Sequence, residues 1–226
     1  MPSEHAGRPS GRVLQVLGPS TGGIRRHVAA LTAGLVERGW EVGIAGPAPA
    51  RPETDAPFHE VAVGQRSRAV TVLSRLRRLA SGVDLVHAHG LSAGWAAILA
   101  GGGRPVVVTV HNLVLDDVAG RRARWLRRVE ARLPARAART IAISDEVARR
   151  FGGLPGAGRI DVIAPVGPDP APDEPSGTTR ASLGVPEGVP LVVLVGRLHA
   201  QKDIGTFLAA AARMRYRFPD ARFVVV

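Results

Sequence analysis

The chain has 226 residues, a net charge of +11 and no cysteine, with 45% hydrophobic but only 4% aromatic residues. Such a length allows one large or two modest domains, and the missing cysteine excludes disulfides and thiolate metal sites. The polar start from Met1 to Arg12 lacks the apolar core of a signal peptide and no apolar run has the length of a bilayer span, so a cytoplasmic location is expected.

Short apolar runs alternate with segments at helical spacing, the pattern of an α/β protein with a mainly parallel, doubly wound sheet. A first strand is expected at Val13 to Leu17, followed by a glycine-rich turn from Gly18 to Gly23 and a helix from Ile24 to Arg38 that stops at Gly39. Further strands are expected at Glu41 to Ala45, His59 to Val63, Val83 to His87, Pro105 to Val110, Thr140 to Ile143 and Ile160 to Ile163. Helices fit between most of them, over Arg68 to Ala80, Leu91 to Ala100, Arg121 to Arg136 and Asp145 to Phe151. After a polar tail over 1–11, this makes 12–164 one Rossmann-like domain. Seven of the 18 prolines then fall in 165–190, which reads as an interdomain linker. Residues 191–226 carry one more strand, helix and strand, too little to bury both faces of a sheet, so the second domain is expected to be incomplete.

Several segments carry chemistry. The turn Gly18-Pro-Ser-Thr-Gly-Gly23 joins a strand to a helix N-terminus and suits either phosphate binding or a plain tight turn. His87 and His89 stand two apart at a strand end, as packed histidines or as a metal-ligand pair without an evident third member. Thr109, His111 and Asn112 close an apolar strand, where a histidine can orient a hydroxyl or move a proton. Arg121 to Arg139 holds eight arginines against one acid, Glu130, with Trp125, Leu126, Val129 and Leu133 at helical spacing. It suits an anionic membrane surface or a solvated helix. Aromatic interleaving for nucleic acid is nearly absent, and no nucleic-acid partner is expected. Arg197 and Lys202 follow a strand, and Lys202 is the only lysine among 30 basic residues, at a place suited to neutralising a diphosphate.

In order, the glycine pair with His27, Asp84-Leu-Val-His-Ala-His-Gly90, Thr-Val-His-Asn112, Ile-Ala-Ile-Ser144 and Gly-Arg-Leu198 with Lys202 resemble the family 4 glycosyltransferases. These are retaining enzymes of the GT-B fold, with two facing Rossmann-like domains. The resemblance implies hexosyl transfer from a nucleoside-diphosphate sugar to an acceptor that is lipid-linked, a glycan or a small molecule. It implies that Gly22 and Gly23 lie beside the donor diphosphate and that His111 contacts the transferred sugar. Arg197 and Lys202 would stabilise the leaving diphosphate, with His27, His89 and Asn112 as acceptor-side candidates. No metal or other cofactor is expected, in keeping with the lack of an Asp-x-Asp motif, and the basic helix resembles a membrane-docking surface for the inner face of the membrane.

The chain departs from the family pattern in two short segments and at its end. Val166-Gly167-Pro168-Asp169 replaces the usual Asn-Gly-x-Asp at the domain crossing, and Asp203 stands where glycine is common after the lysine. The family's later glycine turn and paired glutamates are missing, so the 226-residue chain alone is expected to be inactive. The alternatives are a non-catalytic acceptor- or membrane-binding module and a sugar-nucleotide epimerase of the same fold.

Overall fold

The computed structural model describes residues 11–20, 22–65, 69–113, 123–165, 176–196, 198–199 and 202–226. The tail over 1–10, the crossing Val166 to Asp169, Arg121 and Arg197 lie outside them. The chain divides into two compact units, Met1–Val166 and Gly167–Val226.

The first unit is built on a parallel sheet of seven strands. They are β1 (Gly11–Leu17), β2 (Trp40–Gly46), β3 (Phe58–Glu60), β4 (Leu85–His89), β5 (Val106–Val110), β6 (Arg139–Ala142) and β7 (Ile160–Val162). Their order across the sheet is β3-β2-β1-β4-β5-β6-β7. The direction of winding reverses between β1 and β4, and a crevice opens at such a point beyond the carboxyl ends of the strands. The helices are α1 (Gly23–Glu37), α2 (Ala69–Ala80), α3 (Leu91–Ala100), α4 (Ala123–Ala131), α5 (Leu133–Arg136) and α6 (Asp145–Arg149).

Both sheet faces are covered, which is why β1 and β5 read as nearly continuous apolar runs. Leu14 and Val16 pack with Leu76 of α2, Ala93 and Ala97 of α3, and Leu133. Val13 and Leu17 pack on the opposite face with Val28 of α1. Gly94 of α3 is required by that packing, because a Cβ there would come within 2.9 Å of Val108 Cγ1.

Three of the differences from the sequence expectation have a local physical cause. β3 ends at Glu60 rather than Val63, because the Val63 N–H turns back to the Val61 carbonyl at 2.7 Å; both valines are nevertheless buried. β4 runs two residues later than expected, since the Val83 N–H still bonds to Ala80 at the end of α2 while Leu85 to His89 pair with Val13 to Leu17. The long arginine-rich helix is two helices, α4 and α5. Pro134 has no N–H to continue α4 but is accommodated in the first turn of α5.

The second unit contains α7 (Ser176–Ser182), β8 (Leu191–Leu194), α8 (Ile204–Met214) and β9 (Arg222–Val225), with β8 and β9 paired in parallel. The proline-rich stretch 165–190 therefore includes a short helix. Its Arg180 guanidinium donates to the Val189 carbonyl and ties the helix to the approach to β8. Asp203 is the N-cap of α8 at φ 44°, the one non-glycine residue with positive φ among the described residues. A left-handed backbone explains a preference for glycine at this place. Asp203 tolerates it and compensates by accepting the Thr206 N–H at 3.3 Å. Among the described residues no helix is long and apolar enough to cross a membrane.

Candidate functional site

The crevice over the β1/β4 switch point is a cleft of about 780 Å³ within the first unit. Its floor is made by the ends of β1, β4 and β5, through Gly18, Ser20, His89, His111 and Asn112. Its wall is apolar and comes from α3 and α4, with Trp95, Leu99, Trp125, Leu126 and Val129. The Trp95 indole N–H donates to the Val129 carbonyl at 3.2 Å and fastens α4 against α3. The end of β1 passes close to α3 at Gly18, where a Cβ would stand 2.4 Å from Ser92 Oγ and oblige that hydroxyl to rotate.

The glycine turn leads into α1 with Gly22 as N-cap at φ 65°, a conformation only glycine adopts readily. Among the described residues, no atom outside the neighbouring backbone lies within 4 Å of a Cβ built on Gly22 or Gly23, so both glycines face open space. The free N–H groups and the positive end of the helix dipole there favour an anion. Ser20 Oγ and Arg25 Nε, on either side of this turn, are buried without a hydrogen-bond partner among the described residues. Leaving such a group unsatisfied costs about 1–3 kcal/mol, which a ligand oxygen would relieve.

Side chains alternate along strands, and on β1, β4 and β5 one face carries a file of buried polar groups. Gln15, His87, His89 and Thr109 are each at most 8% exposed. Strand pairing sets Gln15 beside His87 and His89 beside Thr109. Half-buried His111 continues the file just past β5, and half-buried His27 descends from α1. His87 Nε2 is 2.7 Å from Thr109 Oγ1. His89 Nδ1 is 3.2 Å from His111 Nε2, and its Nε2 is 3.1 Å from Gln15 Oε1. The His27 ring stands edge-on to both His89 and His111, at 5.7 and 5.1 Å between centroids.

Burial governs the charge of this cluster. It pushes His87 down to about 4, with His27 and then His111 adding repulsion, and pushes His111 down to about 4, with His27 adding to it. Burial takes His89 well below the ordinary imidazole value and lowers His27 as well. The cluster is therefore neutral at pH 7, with lone pairs available as acceptors.

The structure thus brings three expected residues, His89, His111 and Asn112, to the lining of one cleft, with the ring of a fourth, His27, against His89 and His111. Lys202 lies in the second unit, exposed, just before α8, with its side chain against Gly196. One nitrogen from each of His27, His89 and His111 lies within 4.8 Å of the others, a grouping able to hold a metal ion. The sequence pair His87 and His89 stays together in space, with ring centroids 4.4 Å apart, but His87 bonds to Thr109 whereas His89 also faces His27 and His111. Sequence reasoning also missed Gln15 and Thr32, which back the cluster. Gln15 had left a signal, as the one polar residue within the apolar run Val13 to Leu17.

A sequence profile described as Glycosyltransferase Family 4 matches residues 21–166. Among curated proteins, D-inositol 3-phosphate glycosyltransferase of Nocardiopsis dassonvillei is 34% identical over 62% of this chain and 35% of its own length. Alpha-D-kanosaminyltransferase of Streptomyces kanamyceticus is 29% identical over 74% of this chain and 48% of its own. This chain thus spans less than half of either relative. The crystal structure of Anabaena Alr3699/HepE in complex with UDP-glucose is similar at a TM-score of 0.76 and 18% identity, over 95% of this chain and 60% of that one. Sucrose-phosphate synthase from Thermosynechococcus elongatus is similar at a TM-score of 0.70 and 21% identity, over 95% of this chain and 62% of that one. The architecture is accordingly α/β of the GT-B type. Since the matching profile runs from within the glycine turn through α1, His27, His87, His89 and His111 to the end of the first unit, the chain belongs to Glycosyltransferase Family 4.

Proposed function

We propose that the protein to which these 226 residues belong transfers a hexosyl group from a nucleoside-diphosphate sugar to an acceptor hydroxyl with retention of configuration. In that reaction the bond from the anomeric carbon to the diphosphate oxygen breaks and a bond to the acceptor oxygen forms on the same face. The hydroxyl proton leaves on the diphosphate. The observation that carries the reading is a single cleft lined both by the turn into α1, through Ser20 and Ile24, and by the neutral imidazoles of His89 and His111. The first suits a diphosphate and the second suits sugar hydroxyls.

In this reading Gly22 and Gly23 approach the diphosphate, Ser20 Oγ gains a ligand partner, and His111 holds the transferred sugar. Arg197 and Lys202 neutralise the charge that develops on the leaving group, where a well-aimed cation contributes a few kcal/mol. His27, His89 and Asn112 face the acceptor side. No metal takes part: the 3.2 Å contact of His89 with His111 fits a hydrogen bond between neutral rings. The test is incubation of the complete protein with UDP- and GDP-sugars and candidate acceptors, with the product anomer read by NMR. Transfer with retention, unchanged by a chelator, is expected; free epimerised sugar nucleotide or an inverted product would refute the reading. The 226-residue chain alone is expected to give no turnover, so steady transfer by it would refute that part. As the alternative non-catalytic module, the complete protein would bind acceptor without binding a nucleotide.

The wall of the cleft favours an acceptor with an apolar part, presented at an anionic membrane. Trp125 and Leu99 are 64% and 63% exposed at its edge, next to exposed Arg124 and Arg128 of α4. The one acid of α4, Glu130, is buried and paired with Arg150 at 3.5 Å, so the exposed charge of this helix is arginine. Each arginine near an anionic bilayer contributes about 1 kcal/mol. Co-sedimentation with phosphatidylglycerol vesicles is therefore expected at low salt, with R124E/R128E weakening it at least about tenfold. Equal binding by the double variant, or by neutral vesicles, would remove the membrane role.

A further inference from the structure

Thr32, Gln15 and His89 are buried polar groups in series behind His111, and their hydrogens can be assigned one after another. Thr32 Oγ1 is 2.7 Å from the Val28 carbonyl oxygen. A carbonyl carries no hydrogen, so the one between these oxygens belongs to Thr32, and a hydroxyl has only one. Thr32 Oγ1 must then accept from Gln15, whose facing atom at 2.7 Å is the amide nitrogen. This turns Gln15 Oε1 toward His89 Nε2 at 3.1 Å, and that nitrogen has to carry a hydrogen to donate. A neutral His89 leaves its Nδ1 bare, so at 3.2 Å His111 Nε2 is the donor.

We infer that Thr32, Gln15 and His89 are positioning residues that lock His111 in its Nε2–H tautomer, leaving Nδ1 as an acceptor for a hydroxyl of the bound sugar. The last clause rests on the proposed function; the tautomer does not. His111 lines the cleft, and the hydrogen bond it makes to His89 runs through Nε2, which leaves Nδ1 for a ligand. The device converts a backbone carbonyl of α1, which cannot change its polarity, into a fixed polarity at the site two side chains and a ring away. A fixed lone pair selects a hydroxyl that can donate and gives nothing to an ether or a fluorine at the same position.

Long-range ¹H–¹⁵N correlation of ¹⁵N-histidine in the 226-residue chain at pH 7 reads the tautomer directly. His111 is expected with a pyrrole-type Nε2 and a pyridine-type Nδ1. T32V keeps the shape of the side chain but frees the Gln15 amide to turn over, so signals of the Nδ1–H form of His111 should appear. Q15L should also release the lock; should it not fold, T32V carries the test alone, with dispersed backbone amides as the check on folding. A charged or Nδ1–H His111 in the parent chain, or a folded T32V with unchanged ring shifts, would overturn the inference. A separate arm uses the complete enzyme with donors deoxygenated or fluorinated at each sugar hydroxyl in turn. At the hydroxyl held by His111 both analogues should lose rate equally, whereas rescue by fluorine would mean that His111 donates. If H111A leaves transfer unchanged while the NMR result holds, the sugar contact fails and the tautomer lock stands.

Discussion

Replacing His111 with alanine in the complete enzyme should lower kcat/KM by about 10²–10³-fold, the usual effect of removing one preorganised polar group at a reacting centre. The loss should be that large because the imidazole is held in place before the sugar arrives. His89 fixes it from one side, and the strand end of β5 fixes its backbone. A group that needs no reorganisation on binding contributes its full interaction to positioning the reactive carbon. His111 is only half-buried and borders an open cleft, so alanine leaves no sealed cavity and thermal stability should fall little. The effect should also separate by ligand. Binding of the free nucleoside diphosphate, which in the proposed reading ends at the glycine turn, should change by less than about threefold, whereas reaction of the sugar nucleotide slows. If H111A retains more than half of the parent's kcat/KM, or if it loses nucleotide affinity to the same degree as rate, the assignment of His111 to the sugar is wrong.

The parts of this molecule that a sequence reveals are those set by local periodicity. The apolar runs of β1 and β5, the glycine turn and the breaker Gly39 each announce themselves in a handful of neighbouring residues, and the parallel doubly wound sheet follows from their alternation. Legibility fails where a long-range partner decides. β4 begins at Leu85 because β1 offers its backbone to that register, while Val83 is kept by the end of α2; nothing in Val83-Asp84-Leu85 itself says so. The site was legible in kind but not in grouping. His87 and His89 look equivalent in the sequence, and only the arrival of His27 from α1 and His111 from β5 makes His89 the centre of the cluster. Asp203 shows the reverse: an apparent misfit beside Lys202 is resolved by its backbone, whose left-handed turn it caps.

Acid should destabilise the first unit well before its carboxylates titrate. The sign follows from which state takes up protons. In the unfolded chain each histidine titrates near 6.5, whereas burial holds His87 and His111 at about 4 in the fold and His89 well below its ordinary value. Above pH 6.5 both states are neutral and nothing is lost. Below it the unfolded chain gains protons that the folded one refuses, so stability falls with pH until the folded rings themselves titrate near 4. Each ring that stays neutral costs about 1.4 kcal/mol per pH unit in that window. Solvent screening at half-buried His111 and mutual repulsion within the cluster make the total smaller than a simple sum. Several kcal/mol between pH 6.5 and 5 remains the expected scale, a large share of the roughly 5–15 kcal/mol that holds an ordinary domain together. Urea unfolding of the 226-residue chain at pH 7.5, 6 and 5 measures it, with the first unit followed by its own tryptophans, Trp40, Trp95 and Trp125. H87N is expected to flatten the slope by about one proton, because it removes a ring that refuses protonation and does not itself line the cleft. Equal stability at pH 7.5 and 5 would mean that the folded cluster accepts protons freely and is not the neutral, acceptor-rich floor on which the sugar contact depends.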